Sequence, residues 1–254
     1  MGKIITIANQ KGGVGKTTTA VNLAASLAVA EKKTLLIDVD PQGNACSGLG
    51  ISKEGLVKTI YNVLIGEEEM ANIILHTELE YLHIAPANSH LTGAEIELVG
   101  ALARETRLKN AVKSIVDDYD YVLIDCPPSL GLLTVNSLTA ADSVLIPLQC
   151  EFYAMEGLTQ LLRTISLIRQ QLNPDLAIEG ILLTMFDKRN NISHQVAQEV
   201  REHFDGQIFA SAIPRNVRLS ESPSFGKPVL LYDIGCNGAS SYLDLAKEIM
   251  FGRN

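Results

Sequence analysis

Between an apolar run and a helix-forming run near the start of the chain stands Lys11-Gly12-Gly13-Val14-Gly15-Lys16-Thr17-Thr18. The preceding Ile4-Ile5-Thr6-Ile7-Ala8 has the make-up of a buried strand. The following Ala20 to Ala28 carries apolar residues at helical spacing. Few folds place three glycines between a strand and a helix in so short a span. The glycines let backbone N–H groups turn toward one point, and the helix N-terminus adds its partial positive charge there. Lys16 adds a full charge, and the Thr17 hydroxyl is placed for Mg²⁺. The stretch reads as a P-loop, with Gly12, Gly13, Val14, Gly15, Lys16, Thr17 and Thr18 around the phosphates of a nucleotide. It departs from the usual pattern in that Gln10 stands where the first glycine is common, and Lys11 is an extra lysine.

Apolar runs end further strands at Thr34–Asp40, Leu79–Ile84, Tyr121–Asp125, Ser143–Leu148 and Ile178–Met185. Helical spacing runs through 57–65, 94–116 with a break near Gly100, 155–172, 192–204 and 240–251. A short strand is expected over 208–213 and a loop over 214–228. Strands alternating with helices predict an α/β fold, a mostly parallel twisted sheet with helices on both faces. No linker, repeat or low-complexity tract divides the chain, so residues 1–254 are expected to form a single P-loop NTPase domain.

No apolar run reaches the ~18 residues that span a bilayer. The start lacks the segments of a secretory signal, and Cys46, Cys126, Cys150 and Cys236 are widely separated, so a cytoplasmic location is expected. Met1-Gly2-Lys3-Ile4-Ile5-Thr6 fits a loose myristoylation pattern, which a strand starting at Lys3 would bury. The net charge of −8 argues against a generally basic nucleic-acid binder. The charge is uneven, however: residues 1–184 hold 13 basic and 21 acidic side chains, and residues 185–254 hold eight of each. Charges are screened over about 8 Å at physiological salt, so a local basic patch still works on an acidic protein.

Asp125 ends an apolar strand, which brings a carboxylate to the sheet edge where the P-loop holds phosphates, a position suited to Mg²⁺ through water. Asp38 and Asp40 end another strand two residues apart and therefore point to one side. Asp40, at the loop edge, is assigned to orient the attacking water, and Asp38 to the Mg²⁺ shell beside Thr17. Lys16 already serves the β- and γ-phosphates, so a second buried ammonium needs a charge of its own to meet. A symmetric face-to-face dimer could deliver Lys11 to the partner's phosphate, where it would act like an arginine finger.

The loop with its extra lysine resembles the deviant Walker A ATPases. Four more stretches sharpen this: Asp38-x-Asp40-Pro41-Gln42-Gly43-Asn44, Asp125-x-Pro127-Pro128-Ser129, Glu151-x-Tyr153-Ala154-x-Glu156-Gly157, and Ile213-Pro214-Arg215-Asn216-Val217-Arg218-Leu219-Ser220-Glu221. With Ala8-Asn9-Gln10, they make the chain similar, over nearly its whole length, to the ParA/Soj chromosome-partitioning ATPases. The resemblance implies an ATP-dependent homodimer that binds double-stranded DNA without sequence preference, on the nucleoid. It implies a ParB/Spo0J-type centromere-binding partner that stimulates hydrolysis. By position, Lys11, Lys16 and Asp40 would be catalytic, with Gly12 at the dimer contact and Glu151 reaching the partner's nucleotide. The adenine would lie between Met185-Phe186-Asp187 and Pro214-Arg215-Asn216.

Basic residues for DNA phosphates are sought among Arg189, Arg218, Lys227, Lys247 and Arg253, and the resemblance favours Arg189 and Arg218. Two other readings stand beside this one. A MinD-type membrane-positioning ATPase would need an amphipathic tail, for which the last helix offers Tyr242, Leu245, Ala246, Ile249 and Met250. A non-hydrolysing nucleotide scaffold is disfavoured by the presence of both Asp40 and Asp125.

Overall fold

Strand Tyr121–Asp125 (β5) shows why the sheet is covered on both sides. Val122 and Ile124 enter one core, Leu123 enters the other, and all three are fully buried. A strand apolar on both faces belongs in the middle of a parallel sheet. The computed structural model describes residues 2–151, 154–204 and 206–252. Its other strands are Lys3–Ile7 (β1), Thr34–Asp38 (β2), Leu75–His76 (β3), Leu82–Ala85 (β4), Ser143–Gln149 (β6) and Ala177–Thr184 (β7). They form one seven-stranded sheet in the order β3-β4-β2-β5-β1-β6-β7, parallel except for the short β3 at one edge.

Helices Lys16–Val29 (α1), Asn44–Gly48 (α2), Ile60–Ile65 (α3), Leu91–Glu97 (α4), Arg107–Val112 (α5) and Leu132–Ala140 (α6) precede Ala154–Gln171 (α7) and Asn191–His203 (α8). Val217–Glu221 (α9), Val229–Tyr232 (α10) and Asn237–Phe251 (α11) complete the set. Helices α3 to α8 cover one face, and α1, α2, α10 and α11 the other. Tyr242, Leu245, Ala246 and Ile249 of α11 are buried in that second core, so the stripe that a membrane tail would need is spent on packing. Among the described residues no helix is long and apolar enough to cross a membrane.

Several expectations need correction. The segment 208–213 forms no strand; its one isolated bridge joins Ile208 to Ile181 of β7, and a second bridge just after it joins Pro214 to Phe186. The helical region 94–116 begins earlier, at Leu91, and breaks into α4, 3₁₀ turns and α5, with Ala103 at φ +53° inside the break. The loop 214–228 contains α9, capped where the Asn216 side chain accepts from the Arg218 amide. Helix α6 has no reading in the sequence because it is nearly all buried and so shows little amphipathic contrast.

Strand order decides where chemistry can occur. β2, β5 and β1 are neighbours, and Asp38 and Asp125 are register partners, with Asp125 also opposite Ile7. The carboxyl ends of these three strands therefore meet on one level, beneath the loop that leaves β1.

Candidate nucleotide site

The loop after β1 is held open by backbone that only glycine adopts easily. Gly13 has φ +73° and Gly15, at the N-cap of α1, has φ +85°. Asn9 braces it from below: its Nδ2 donates to the Pro147 carbonyl at 2.7 Å, and its Oδ1 accepts from the Lys11 amide at 3.0 Å. The Thr184 hydroxyl donates to the Val14 carbonyl at 2.8 Å. Sequence reasoning gave neither Asn9 nor Thr184 a role. The signal for Asn9 was an amide-bearing side chain immediately after a buried strand, where a polar group needs partners.

Within the cradle, Lys16 is only 6% exposed and its Nζ donates to the Lys11 carbonyl at 3.1 Å. Burial lowers its pKa, while Asp125, Cys126 and Asp40 pull it back up. Lys11 behaves oppositely. It faces outward and forms a 2.9 Å ion pair with Glu151, whose other oxygen accepts from the Gln149 amide side chain. A Cβ added to Gly12 would meet only Pro128 Cβ, at 3.8 Å, so this side of the loop opens away from its own chain.

Asp125 is wholly buried, and neither of its oxygens has a hydrogen bond of ordinary geometry. Burial first, and then the Asp38 carboxylate, push it well above the usual carboxylate range, with the adjacent Thr17 hydroxyl and Lys16 opposing. Orphaned buried oxygens of this kind call for a partner. A hydroxyl and a carboxylate beside a phosphate cradle make an oxygen donor set suited to a hard divalent cation such as Mg²⁺.

Asp38 is used differently. Its oxygens accept from the amides of Asp40 at 3.1 Å, Ala45 at 3.1 Å and Cys46 at 3.3 Å, so it ties β2 to α2. Burial pushes its carboxyl up to about 7, against those hydrogen bonds. Asp40 lies in Asp40-Pro41-Gln42-Gly43, a residue order that favours a β-turn with Asp first, Pro second and Gly fourth. The turn forms: the Gly43 amide donates to the Asp40 carbonyl at 2.9 Å, and the Gln42 amide to Asp40 Oδ1 at 2.9 Å. Asp40 stays 7% exposed, at the rim of the cluster.

A cavity of about 460 Å³ adjoins the cradle beside Gly15 and Thr18. Met185, Pro214, Arg215 and Asn216, the residues assigned to the adenine from the sequence, line it together with Leu219 and Tyr242. Met185 holds φ +51°, an unusual conformation for a long side chain and one found at ligand sites. Asp187 lies instead in a neighbouring cleft with Phe186, Lys188 and Arg189. Tyr242 ties α11 to α1 at this cavity, since its hydroxyl sits 3.2 Å from that of Thr19.

The basic residues singled out in the sequence are spread over the surface, and each described one has an acidic neighbour. Arg189 pairs with Asp187 at 3.2 Å, Arg218 with Glu221 at 2.9 Å and Asp233 at 3.2 Å. Lys227 reaches Glu78 at 3.7 Å and Lys247 reaches Asp244 at 2.9 Å. Arg253, and Tyr153 of the motif after β6, lie outside the described residues.

Comparison with known proteins agrees with this geometry. A family model described as an AAA domain matches residues 2–178. The chain is 62% identical over 250 residues to the chromosome partitioning protein ParA of Myxococcus xanthus, covering 98% of this chain and 88% of that protein. It is 57% identical over 249 residues to the sporulation initiation inhibitor protein Soj of Bacillus subtilis, covering 98% of each. Among solved structures, a cobyrinic acid a,c-diamide synthase from Mycobacterium smegmatis with bound ADP and magnesium superposes with a TM-score of 0.87. It is 38% identical and the match covers 100% of this chain and 97% of that one. With the P-loop, the strand-end carboxylates and these relatives in agreement, the chain belongs to the ParA/Soj family of chromosome-partitioning P-loop ATPases.

Proposed function

We propose that the chain binds ATP with Mg²⁺, pairs with a second copy across two nucleotides, and holds DNA without sequence preference in that state. A ParB-type centromere-binding protein then stimulates hydrolysis and resets it. The observation that carries this reading is the division between two lysines of one loop. Lys16 is buried inside the cradle, whereas Lys11 faces out of it beside the open side of Gly12. An outward cation next to a phosphate site suits a phosphate on a facing copy.

In this scheme the amides of Gly12 to Thr18 bind the phosphates and Lys16 spans the β- and γ-groups. Thr17 and Asp125 would hold Mg²⁺, Asp125 through water, with Asp38 behind them fixing α2. The bound cation supplies neutralisation of phosphate charge. Asp40 orients a water whose oxygen bonds to the γ-phosphorus as the bond to the ADP oxygen breaks; the displaced proton passes to Asp40 or to phosphate. Lys11 leaves Glu151 for the partner's phosphate, freeing Glu151 for the partner's nucleotide. Met185, Pro214, Arg215 and Asn216 line the base site, and Asp187 borders it.

Turnover of ATP measured with DNA and a candidate ParB-type protein, separately and together, tests the scheme. Synergy is expected, and rates that merely add would overturn the coupling. Gly12→Val is expected to keep ATP but not dimerise, because branched carbons on the open side would enter the facing copy. Sedimentation with ATP checks this, and a stable dimer would remove Gly12 from the interface.

DNA binding is assigned to Arg189 and Arg218, with Lys227, Lys247 and Arg253 adding weaker attraction. Arg218→Glu is expected to lower ATP-dependent DNA affinity more than tenfold. Arg218→Ala should flatten the log–log salt dependence by about 0.9 for each DNA phosphate left without its cation. Gel shifts across a salt series check both, and unchanged affinity in ATP would sink the assignment.

A further inference from the structure

Asp40 can direct a water only if its turn is rigid, and the turn is pinned from outside by a side chain with no part in the phosphate cradle. Lys53 Nζ donates to the Gln42 carbonyl at 2.8 Å. That carbonyl belongs to the same peptide unit as the Gly43 amide, which donates to the Asp40 carbonyl at 2.9 Å. One ammonium therefore fixes the plane of the peptide that closes the turn on Asp40, and polarisation through the unit strengthens the second bond. The lysine stem lies over Gly43 so closely that a Cβ there would come within 2.6 Å of Lys53 Cδ and 2.8 Å of the Ala87 carbonyl. Gly43 itself sits at φ +60°. Both features make glycine the residue that lets Lys53 in.

The far side of the turn is hollow. A cavity of about 470 Å³ separates Pro41 and Gln42 from Leu56, Asn88 and His90, and Lys53 is the side chain that crosses to the turn from there. Gln42 is exposed and Gly43 buried, so packing grips only the Gly43 end of this peptide, and Lys53 holds the carbonyl at its other end. We propose that Lys53 is a positioning residue for hydrolysis, setting the Asp40 carboxylate through the Gln42–Gly43 peptide. This rests on the hydrolytic reading of Asp40.

Small misplacements of a catalytic group cost up to about 10²-fold in rate. Lys53→Met is expected to lower kcat by ~10- to 100-fold while KM and ATP affinity stay within about twofold, because the phosphate cradle is untouched. Lys53→Arg, which restores a donor of similar reach, should recover most of the rate. Lys53→Gln replaces the Met variant if the latter melts early. Amide exchange at Gly43 in nucleotide-free protein should speed up in Lys53→Met and not in Lys53→Arg. In an Asp40→Ala background, Lys53→Met should cause no further loss.

Wild-type turnover in Lys53→Met would overturn the proposal, as would an Arg variant as slow as Met or a loss that adds to that of Asp40→Ala. If Asp40→Ala is slow and Lys53→Met is not, the failure belongs to Lys53 alone. If Asp40→Ala turns over normally, the hydrolytic reading of Asp40 fails and Lys53 falls with it.

Discussion

Lys16→Ala is expected to lose nucleotide binding. The ammonium is the full positive charge enclosed by the loop, and the structure keeps it there at a cost: burial lowers its pKa. Its hydrogen bond at present is to the Lys11 carbonyl, a neutral acceptor of its own loop. Phosphate oxygens would replace that acceptor with charged ones, and hydrogen bonds to charged groups contribute about 1.5–3 kcal/mol each. Removing two of them amounts to roughly 3–6 kcal/mol, or more than a hundredfold in affinity. A second effect adds to this. With Lys16 gone, Asp125 loses the cation that opposes its rise and Asp40 loses a neighbour, so the site becomes more repulsive to a polyphosphate. Titration with a fluorescent ATP analogue in Mg²⁺ measures the loss, and a Kd within threefold of wild type would refute the role. Melting without nucleotide should change far less, which separates impaired ligand binding from impaired folding.

The parts of the site that sequence made legible share a cause. Gly13, Gly15, Lys16 and Thr17 sit in a contiguous run whose spacing is dictated by the backbone itself. Asp125 was legible because a carboxylate ending an apolar strand has no packing reason to be there, and the structure leaves both of its oxygens orphaned. Asp38 was half legible. Its place at the strand end was expected, but its engagement with the amides of Ala45 and Cys46 depended on a five-residue helix too short to show a period. The cavity beside Gly15 and Thr18 was legible in part: Met185 and Pro214 to Asn216 were named for it from the sequence, whereas Leu219 and Tyr242 were not. Its walls come from β7, the segment before α9, and α11, brought together by tertiary contacts such as that of Tyr242 with Thr19. The failed strand at 208–213 has the same origin, since Phe209 and Ile213 are buried by tertiary packing while only Ile208 makes an isolated bridge to the sheet. The same limit applies to Lys53, eleven residues from the carbonyl that it holds, in a loop with no motif of its own.

Asp40→Ala is expected to separate binding from hydrolysis. The cradle, Lys16, Thr17 and Asp125 are untouched by the change, so ATP and dimer formation should persist. Affinity could only gain from losing a nearby negative charge, because Asp40 adds to the repulsion felt by both Asp38 and Asp125. Stability should move little. The substitution frees the Gln42 amide, but Gln42 is exposed and water can take the place of the carboxylate. The turn retains its Gly43-to-Asp40 backbone bond, which does not involve the side chain. Hydrolysis is another matter. A positioned base or water-orienting group contributes about 10²–10⁴-fold, so turnover should fall by at least ~10²-fold even with DNA and a ParB-type protein present. The ATP-bound dimer would then accumulate on DNA, and its dissociation should no longer respond to the stimulating partner. Single-turnover hydrolysis and DNA release, followed on one preparation, give both readings. Wild-type turnover would refute the role of Asp40, whereas loss of ATP binding together with turnover would mean that this carboxylate supports the cradle and does not direct the water.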